Sequence, residues 1–280
     1  MLRAPVVRTL DPSNRAELLA LLDQDPVTDA FVASRVQAAG LQPWRLGAEV
    51  WGFFEHGRLV SACYAGANLV PVQAGAVALR AFAERALRQG RHCSSIVGPA
   101  DAVLDLWAQL EPAWRPAREV RVSQPLMVLD GPPLVAPDPL VRPVRPGEVD
   151  VLLPAAVAMF TEEVGISPLA SDGGALYRAR VAELVAAGRA LARIVEGAVQ
   201  FKAEFGSVTQ RACQVQGVWV QPELRGRGLA VAGMAAAVSY ARAHLAPVVS
   251  LYVNEYNAPA LAAYRRVGFR QVGTFATVLF

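Results

Sequence analysis

The chain has 280 residues, of which 54% are hydrophobic and 18% are charged, and its formal net charge is +3 at pH 7. This composition supports packed cores and excludes an intrinsically disordered chain, and the length allows one large domain or two of about 140 residues. The small charge and the lack of a basic tract with interleaved aromatic residues argue against nucleic-acid binding. No apolar run reaches the length of about 20 residues that a membrane span needs.

The start of the chain, MLRAPVVRTLDPSNRAELL, contains Asp11 and Glu17 and has no apolar segment, so we expect no signal peptide. The cysteines Cys63, Cys93 and Cys213 are isolated, which predicts a cytoplasmic protein without disulfides or a zinc site. The three histidines are also scattered, and we predict no metal. All basic residues except Lys202 are arginine, a bias that indicates GC-rich codons and a bacterial source.

The first half of the chain predicts alternating strands and helices. Alternating apolar residues between turn residues predict strands, and apolar residues at helical spacing predict helices. In chain order we expect a strand at 6–9, helices around Leu18 and Val32, a hairpin at 50–55 and 59–66, a strand at 68–72, a helix at 75–89, a strand at 94–97, a helix at 102–110 and a strand at 120–129.

Four prolines in DGPPLVAPDP, residues 130–139, predict a stiff linker and hence two domains, 1–138 and 139–280. The second half holds 14 basic against 10 acidic residues, a balance that suits a polyanionic ligand. Its predicted elements are a strand at 140–144, a helix within 147–163, a loop at 165–174, a helix at 175–187, a hairpin at 191–195 and 198–208, and strands at 211–220, 248–253, 269–272 and 274–280.

A glycine-rich turn follows the strand at 211–220. Pro222 ends the strand, because proline lacks the N–H that a ladder needs. RGRGLA, residues 225–230, comes next, and apolar residues at helical spacing follow from Val231 to Leu245. Free N–H groups and the positive dipole end of a helix favour an anion here, and glycines let it approach the backbone. The pattern predicts a phosphate or pyrophosphate site, although a surface turn before a core helix would look similar.

Two familiar phosphate loops do not fit. A dinucleotide-binding fingerprint needs a third glycine where Val231 stands, and a Walker loop needs a lysine that is absent. Arg225, Gly228 and Ala230 instead fit the pattern R-x-x-G-x-A. Farther along, Asn257 is a good N-cap before Pro259, and Gly268 is placed to end the helix that carries Tyr264.

These two motifs, in this order and spacing, resemble the cofactor motifs of the GCN5-related N-acetyltransferase (GNAT) superfamily. The resemblance covers residues 139–280 and implies an α/β fold with a mixed sheet. The first half has the element order of a second GNAT domain, but only Gln73-Ala74 separates Val72 from Gly75, so no pyrophosphate loop is present. We therefore expect a tandem GNAT fold with a degenerate first copy, the alternative being an unrelated α/β domain.

The resemblance also implies roles for particular residues. Acetyl-CoA would be the cosubstrate. Tyr264 would protonate the leaving thiolate, and a backbone N–H near Val220 would stabilise the oxyanion. The residues implied to bind the cofactor are Val218, Trp219, Val220, Arg225, Gly226, Arg227, Gly228, Leu229, Ala230, Asn257 and Tyr264.

The general base is the least determined residue. Many relatives carry a glutamate on the central strand, where this chain has Gln214 and Gln216. Glu162 and Glu163, near the predicted acceptor groove, are our candidates, with Glu204 as another. A solvated surface role is the alternative for each carboxylate, and a water chain would replace a dedicated base.

The sequence thus predicts an acetyl-CoA-dependent N-acetyltransferase that acts by direct attack in a ternary complex. The acceptor is a peptide α-amine or a small-molecule amine. The alternative is a non-catalytic acyl-CoA-binding or protein-interaction module. We expect a monomer or a homodimer, with no metal, nucleic-acid or membrane partner.

Overall fold

The computed structural model describes residues 6–170 and 173–280. Residues 1–5, at the start where we expect no signal peptide, lie outside the described residues. So do residues 171–172 of the predicted loop at 165–174. By its internal contacts the chain forms two compact units. The first unit is the chain up to Leu126 together with Tyr252–Tyr256 and Gln271–Phe280, and the second is Met127–Leu251 with Asn257–Arg270.

The elements of the first unit follow the predicted order. They are β1 (Val6–Thr9), α1 (Arg15–Leu22), α2 (Ala30–Ala39), α3 (Pro43–Leu46), β2 (Glu49–Glu55), β3 (Arg58–Ala65), β4 (Asn68–Val72), α4 (Ala76–Gln89), β5 (Ser95–Pro99), α5 (Ala100–Leu110) and β6 (Glu119–Leu129). The short helix α3 was not predicted. Pro43 occupies its first turn, and Gly47 ends it in the left-handed conformation.

The elements of the second unit also confirm the predicted order. They are β7 (Val141–Pro143), α6 (Val149–Val164), α7 (Ala175–Ala186), β8 (Ala190–Val195), β9 (Ala198–Val208), β10 (Ala212–Val220), α8 (Leu229–His244), β11 (Val248–Tyr252), α9 (Ala258–Val267) and β12 (Arg270–Leu279). The two strands predicted at 269–272 and 274–280 are the single strand β12. Its residues from Gln271 onward belong to the first unit.

The sheet of the first unit has the order β1-β2-β3-β4-β5-β12-β6. The strands β4 and β5 are parallel, and β12 is antiparallel to β5, from Phe275 opposite Pro99 to Leu279 opposite Ser95. The last strand in the sequence therefore fills an interior place of this sheet. Its buried residues Ala276 and Val278 join the core formed with α4 and α5, while α1 and α2 cover a separate core around Leu22 and Val36.

In the first unit, the parallel strands β4 and β5 pair at Asn68–Ser95 and Leu69–Ile96. A Cβ added to Gly98 would lie 3.7 Å from both Cδ and O of Pro71, an ordinary van der Waals distance. Residues 73–75 link β4 to α4. The lack of a pyrophosphate loop in this half of the chain stays a prediction from the sequence.

The sheet of the second unit has the order β11-β10-β9-β8-β7. Side chains along β9 alternate between its two faces. Phe201 lies against Gly233 of α8 on one face, and Lys202 and Glu204 lie on the other, where Met159 of α6 is close. Helices thus cover both faces of this sheet, and the hydrophobic core beneath α6 and α7 includes Leu152 and Trp219.

The proline-rich segment 130–139 forms neither helix nor strand, yet it is bound to the second unit. Backbone N–H groups of Leu134 and Asp138 donate to carbonyls of α9 and α8, and the Asp138 carboxylate accepts a 2.6 Å bond from Arg193. Among residues 6–170 and 173–280, no helix has the length and apolar character of a membrane span.

The position of β12 predicts that its inward-facing side chains stabilise the first unit. Val278 is fully buried, so Val278→Ala should lower the free energy of unfolding of this unit by about 2 kcal/mol. Urea unfolding followed by tryptophan fluorescence measures this, because four of the five tryptophans belong to the first unit. Val272→Ala on the same strand is the control. Since Val272 is 45% exposed, a change of under about 0.5 kcal/mol is expected, and equal effects would contradict the assignment.

Candidate functional site

The central strand β10 has different partners on its two edges. On one edge it pairs with β9, from Cys213 opposite Val208 to Val220 opposite Phe201. On the other edge its parallel pairing with β11 covers only residues 212–214. Beyond Gln214, that edge of β10 has no strand partner within the described part of the second unit. An open strand edge can take an extended ligand as an added strand.

One N–H group of β10 points to the open edge. The N–H of Gln221 donates to the Gln200 carbonyl of β9 at 3.0 Å. Because the direction of the N–H groups alternates along a regular strand, the N–H of Trp219 also faces β9 and that of Val220 faces away from it. The alternation does not extend to Val218, because the register with β9 shifts between Gln216 and Trp219. Val220 is among the residues that the sequence predicted to bind the cofactor arm.

The loop after β10 presents backbone donors. Gly226 and Gly228 have left-handed φ angles of 76° and 81°, and α8 begins directly after Gly228. A Cβ at either glycine would meet no atom within 4 Å, so the backbone conformation, and not crowding, requires glycine here. The N–H groups of residues 226–230 have no acceptor among the described residues. Such a loop at a helix N-terminus is suited to a phosphate anion.

Arg225, a predicted cofactor-binding residue, forms an ion pair with Glu162, a candidate general base. The guanidinium of Arg225 lies 2.8 Å and 3.0 Å from the two carboxylate oxygens of Glu162, and its Nε donates to the Val220 carbonyl. Glu162 also accepts a 3.2 Å bond from the indole of Trp219. Both charged side chains are about half exposed, so the ion pair contributes little stability and can be exchanged for another partner. Arg227 is exposed and forms no ion pair with the described residues.

The helix α9 begins and ends as its motif predicted. The side chain of Asn257 caps it by accepting a 3.2 Å bond from the N–H of Ala260, and Gly268 ends it in the left-handed conformation. Tyr264 is 7% exposed, and its hydroxyl makes no hydrogen bond with the described residues. Burial, and to a lesser degree the charge of Glu163, raises the pKa of this phenol above its ordinary value. The group is therefore a proton donor that keeps its proton at neutral pH.

Glu162 and Glu163 both lie in the last turn of α6 and are exposed. Negative charge at a helix C-terminus is unfavourable, because it faces the negative end of the helix dipole. The two glutamates have different neighbours. Glu162 is bound by Arg225 and Trp219, whereas the charge of Glu163 acts on Tyr264. Of the two predicted base candidates, Glu163 is thus the one associated with the predicted acid.

The structure adds a buried ion pair whose arrangement the sequence did not indicate. Lys202 is fully buried, and its Nζ lies 2.6 Å from Oε1 of Glu204 without the angles of a hydrogen bond. The same Nζ donates to the carbonyl of Gly217 at 2.8 Å. Glu204 was a candidate general base, but it is 5% exposed and committed to Lys202. The sequence signal for this ion pair is Lys202 itself, a lysine in a chain whose other basic residues are arginine.

Other features of the structure do not join this site. In the first unit, a cavity of about 670 Å³ is lined by residues that include Glu49, Trp51, His92 and Trp114, and none of the predicted site residues lines it. No group of His, Cys, Asp or Glu suited to a metal ion is found within the described residues. The three cysteines are buried and unpaired, and burial raises the pKa of Cys213 to about 12.

The two halves of the sequence match different families. Residues 178–269 match the Acetyltransferase (GNAT) family, and residues 48–152 match a domain of unknown function (DUF4081). No curated protein sequence matches the chain.

Solved structures similar to this one cover nearly the whole chain. A GNAT-family acetyltransferase from Colwellia psychrerythraea has 14% sequence identity and a TM-score of 0.56, over 98% of this chain and 99% of that chain. A tandem GNAT protein from the clavulanic acid biosynthesis pathway has 14% identity and a TM-score of 0.59, over 98% of each. A GCN5-related N-acetyltransferase from Sphaerobacter thermophilus has 18% identity and a TM-score of 0.56, over 100% and 97%. These similarities confirm the predicted tandem fold.

The raised pKa of Tyr264 predicts a pH-dependent contribution to stability. Above pH 10 the unfolded chain releases a phenol proton that the folded protein keeps, so the free energy of unfolding falls as pH rises. Below pH 10 both states hold the proton and this contribution is constant. Relative to Tyr264→Phe, the wild type should lose up to about 1.4 kcal/mol per pH unit above pH 10. Urea unfolding of both proteins from pH 8 to pH 11.5 measures the difference, and parallel curves would contradict it.

Proposed function

We propose that the protein transfers an acetyl group from acetyl-CoA to a primary amine, because residues 178–269 match the Acetyltransferase (GNAT) family. The acceptor is a peptide α-amine or a small-molecule amine. One observation carries the proposal: the open edge of β10 leads directly into the donor-rich loop before α8. An acyl-CoA presents the complementary groups in the same order, an amide-bearing arm and then a pyrophosphate.

The cofactor would bind mainly to backbone groups. Its pantetheine arm would pair with the open edge of β10 at Val218 and Val220, as an added strand does, whereas the backbone of Trp219 is paired with β9. Its pyrophosphate would accept bonds from the N–H groups of Gly226, Leu229 and their neighbours through Ala230, and Arg227 would add a charge-assisted bond. The side-chain oxygen of Asn257 is used in the helix cap, which leaves its amide nitrogen to donate to the arm.

The chemistry is direct attack by a neutral amine on the thioester carbonyl. The new C–N bond forms as the carbonyl electron pair moves to oxygen, and the amine nitrogen loses a proton to a base. The intermediate then expels the thiolate of CoA, which takes its proton from the Tyr264 hydroxyl. Glu163 is our first candidate for the base, because its carboxylate is the one whose charge acts on Tyr264.

Binding of the cofactor would also rearrange the pair formed by Arg225 and Glu162. A pyrophosphate is a stronger partner for the guanidinium than one half-exposed carboxylate. Transfer of Arg225 to the pyrophosphate would release Glu162 toward the acceptor, so acetyl-CoA would bind before the amine. We place the reaction in a cytoplasm and the protein as a monomer or homodimer, without metal, nucleic-acid or membrane partners.

The loop assignment predicts that a carboxylate at position 228 abolishes acetyl-CoA binding. In Gly228→Glu the new charge repels the pyrophosphate, so we expect the wild-type affinity, measured by isothermal titration, to be lost. Gly197→Glu is the matched control, because Gly197 has a similar φ of 77°, equally open surroundings and the same unit, but lies in the turn between β8 and β9. Equal loss in both variants would show that strain or charge alone is responsible.

The acid assignment predicts that Tyr264→Phe slows turnover without weakening the cofactor complex. We expect kcat to fall about 100-fold, because the thiolate loses its proton donor, with acetyl-CoA affinity unchanged. The assay detects free CoA thiol with a panel of peptides, polyamines and amino acids. Unchanged kcat would remove Tyr264 from the mechanism. Acetyl-CoA binding without turnover on any amine would favour the alternative, a non-catalytic acyl-CoA-binding module.

A further inference from the structure

The lysine of this chain lies in an unusual place. Lys202 is fully buried on β9, although removing an ammonium group from water is costly even when it is paired. Glu204, two residues along the same face, supplies the opposite charge at 2.6 Å. An apolar pair of similar size would fill this position at less cost. The second contact of the ammonium, to the strand that borders the proposed cofactor site, distinguishes this pair from a simple core ion pair.

The contact between Lys202 and the Gly217 carbonyl lies where the pairing of β10 with β9 is irregular. In the ladder with β9, Gln216 is opposite Glu204 and Trp219 is opposite Lys202, so Gly217 and Val218 form a bulge opposite one residue. Gly217 has a left-handed φ of 59°. Its carbonyl has no partner in the ladder register and accepts instead from Lys202 Nζ at 2.8 Å. The buried ammonium therefore takes the place of a ladder hydrogen bond.

Peptide geometry relates this contact to the open edge of β10. In a planar trans peptide the C=O and the following N–H point in opposite directions. The Gly217 carbonyl points to Lys202 of β9, so the Val218 N–H points away from Lys202. A positive charge on the carbonyl side also polarises the peptide, which makes its N–H a stronger donor.

We propose that Lys202 is a positioning residue that acts through the Gly217–Val218 peptide, orienting and polarising the Val218 N–H as the donor to the thioester oxygen. The inference rests on the proposed function. As the amine attacks, the thioester oxygen gains negative charge, and a donor fixed beforehand stabilises that charge without rearranging. Glu204 balances the charge of Lys202, and the left-handed φ of 59° favours glycine at position 217.

The test compares two ligands that differ in the carbonyl alone. Acetyl-CoA has the thioester oxygen, and S-ethyl-CoA, a thioether, lacks it. Infrared difference spectra with carbonyl-labelled [¹³C]acetyl-CoA report the polarisation directly, as a shift of the carbonyl stretch to lower frequency on binding. In the wild type we expect this shift and about fivefold tighter binding of acetyl-CoA than of S-ethyl-CoA.

The main variant is Lys202→Met with Glu204→Gln, which removes both charges and leaves no buried carboxylate unpaired. We expect it to lose the carbonyl shift and the preference for acetyl-CoA while keeping its affinity for S-ethyl-CoA. Glu204→Asp alone is the matched control, because it keeps both charges and the ammonium on the Gly217 carbonyl and should keep the shift. Should the double variant fail to fold, Lys202→Gln with Glu204→Gln keeps an uncharged donor and should give a smaller shift than wild type.

The outcomes separate the two proposals. A full carbonyl shift in the folded variant without the ammonium overturns the role of Lys202 and leaves the proposed function intact. Wild-type protein that binds neither acetyl-CoA nor S-ethyl-CoA overturns the proposed function, and the role of Lys202 falls with it. A shift lost in the double variant and kept in Glu204→Asp supports the ammonium as its source.

Discussion

The arrangement of the second unit depends on how the backbone hydrogen bonds of β10 are distributed. Each strand has two edges, and groups on an edge without a partner must be solvated or bound by something else. On β10 the β9 edge is paired from Cys213 to Val220 except at the bulge of Gly217 and Val218, while the β11 edge is paired for three residues. The free backbone N–H groups form two sets, one on β10 at Val220 and one at residues 226–230, because the N–H groups of Gln221, Leu224 and Arg225 are bonded within the chain. Under the proposed function, these main-chain groups are the main cofactor-binding groups.

The proposed main-chain recognition gives a reason for the cost of the Lys202–Glu204 pair. The side chain at a donor's own position does not set the direction or strength of its backbone N–H, so other groups must set them. In the proposal, the buried ammonium on the Gly217 carbonyl does both for the following N–H. The desolvation of the two charges is a cost to folding stability, and the proposed gain is a lower barrier for the reaction.

Much of this arrangement was predictable from local sequence. Pro222, Gly228, Asn257 and Gly268 each act through backbone rules that operate over a few residues, so the loop, the caps and the helix ends were predicted correctly. Features that depend on residues far apart in the sequence were not predicted. The spacing of Lys202 and Glu204 shows that they share a face of a strand, but nothing in it indicates that Gly217 lies opposite or that Arg225 meets Glu162. Likewise, the strand at 274–280 was predicted, but not its neighbour β5.

The position of β12 has a consequence for how the protein is made. A ribosome delivers residues in sequence order, and β12 is synthesised after every other strand and helix described. The sheet of the first unit is therefore missing an interior strand, between β5 and β6, throughout the synthesis of the second unit. During that time the edge of β5 is an unpaired template that is open to wrong partners, and closing it requires contacts over a long sequence separation. The second unit, whose own strands are complete before β12 is made, is expected to fold first, although most of the first unit leaves the ribosome before it.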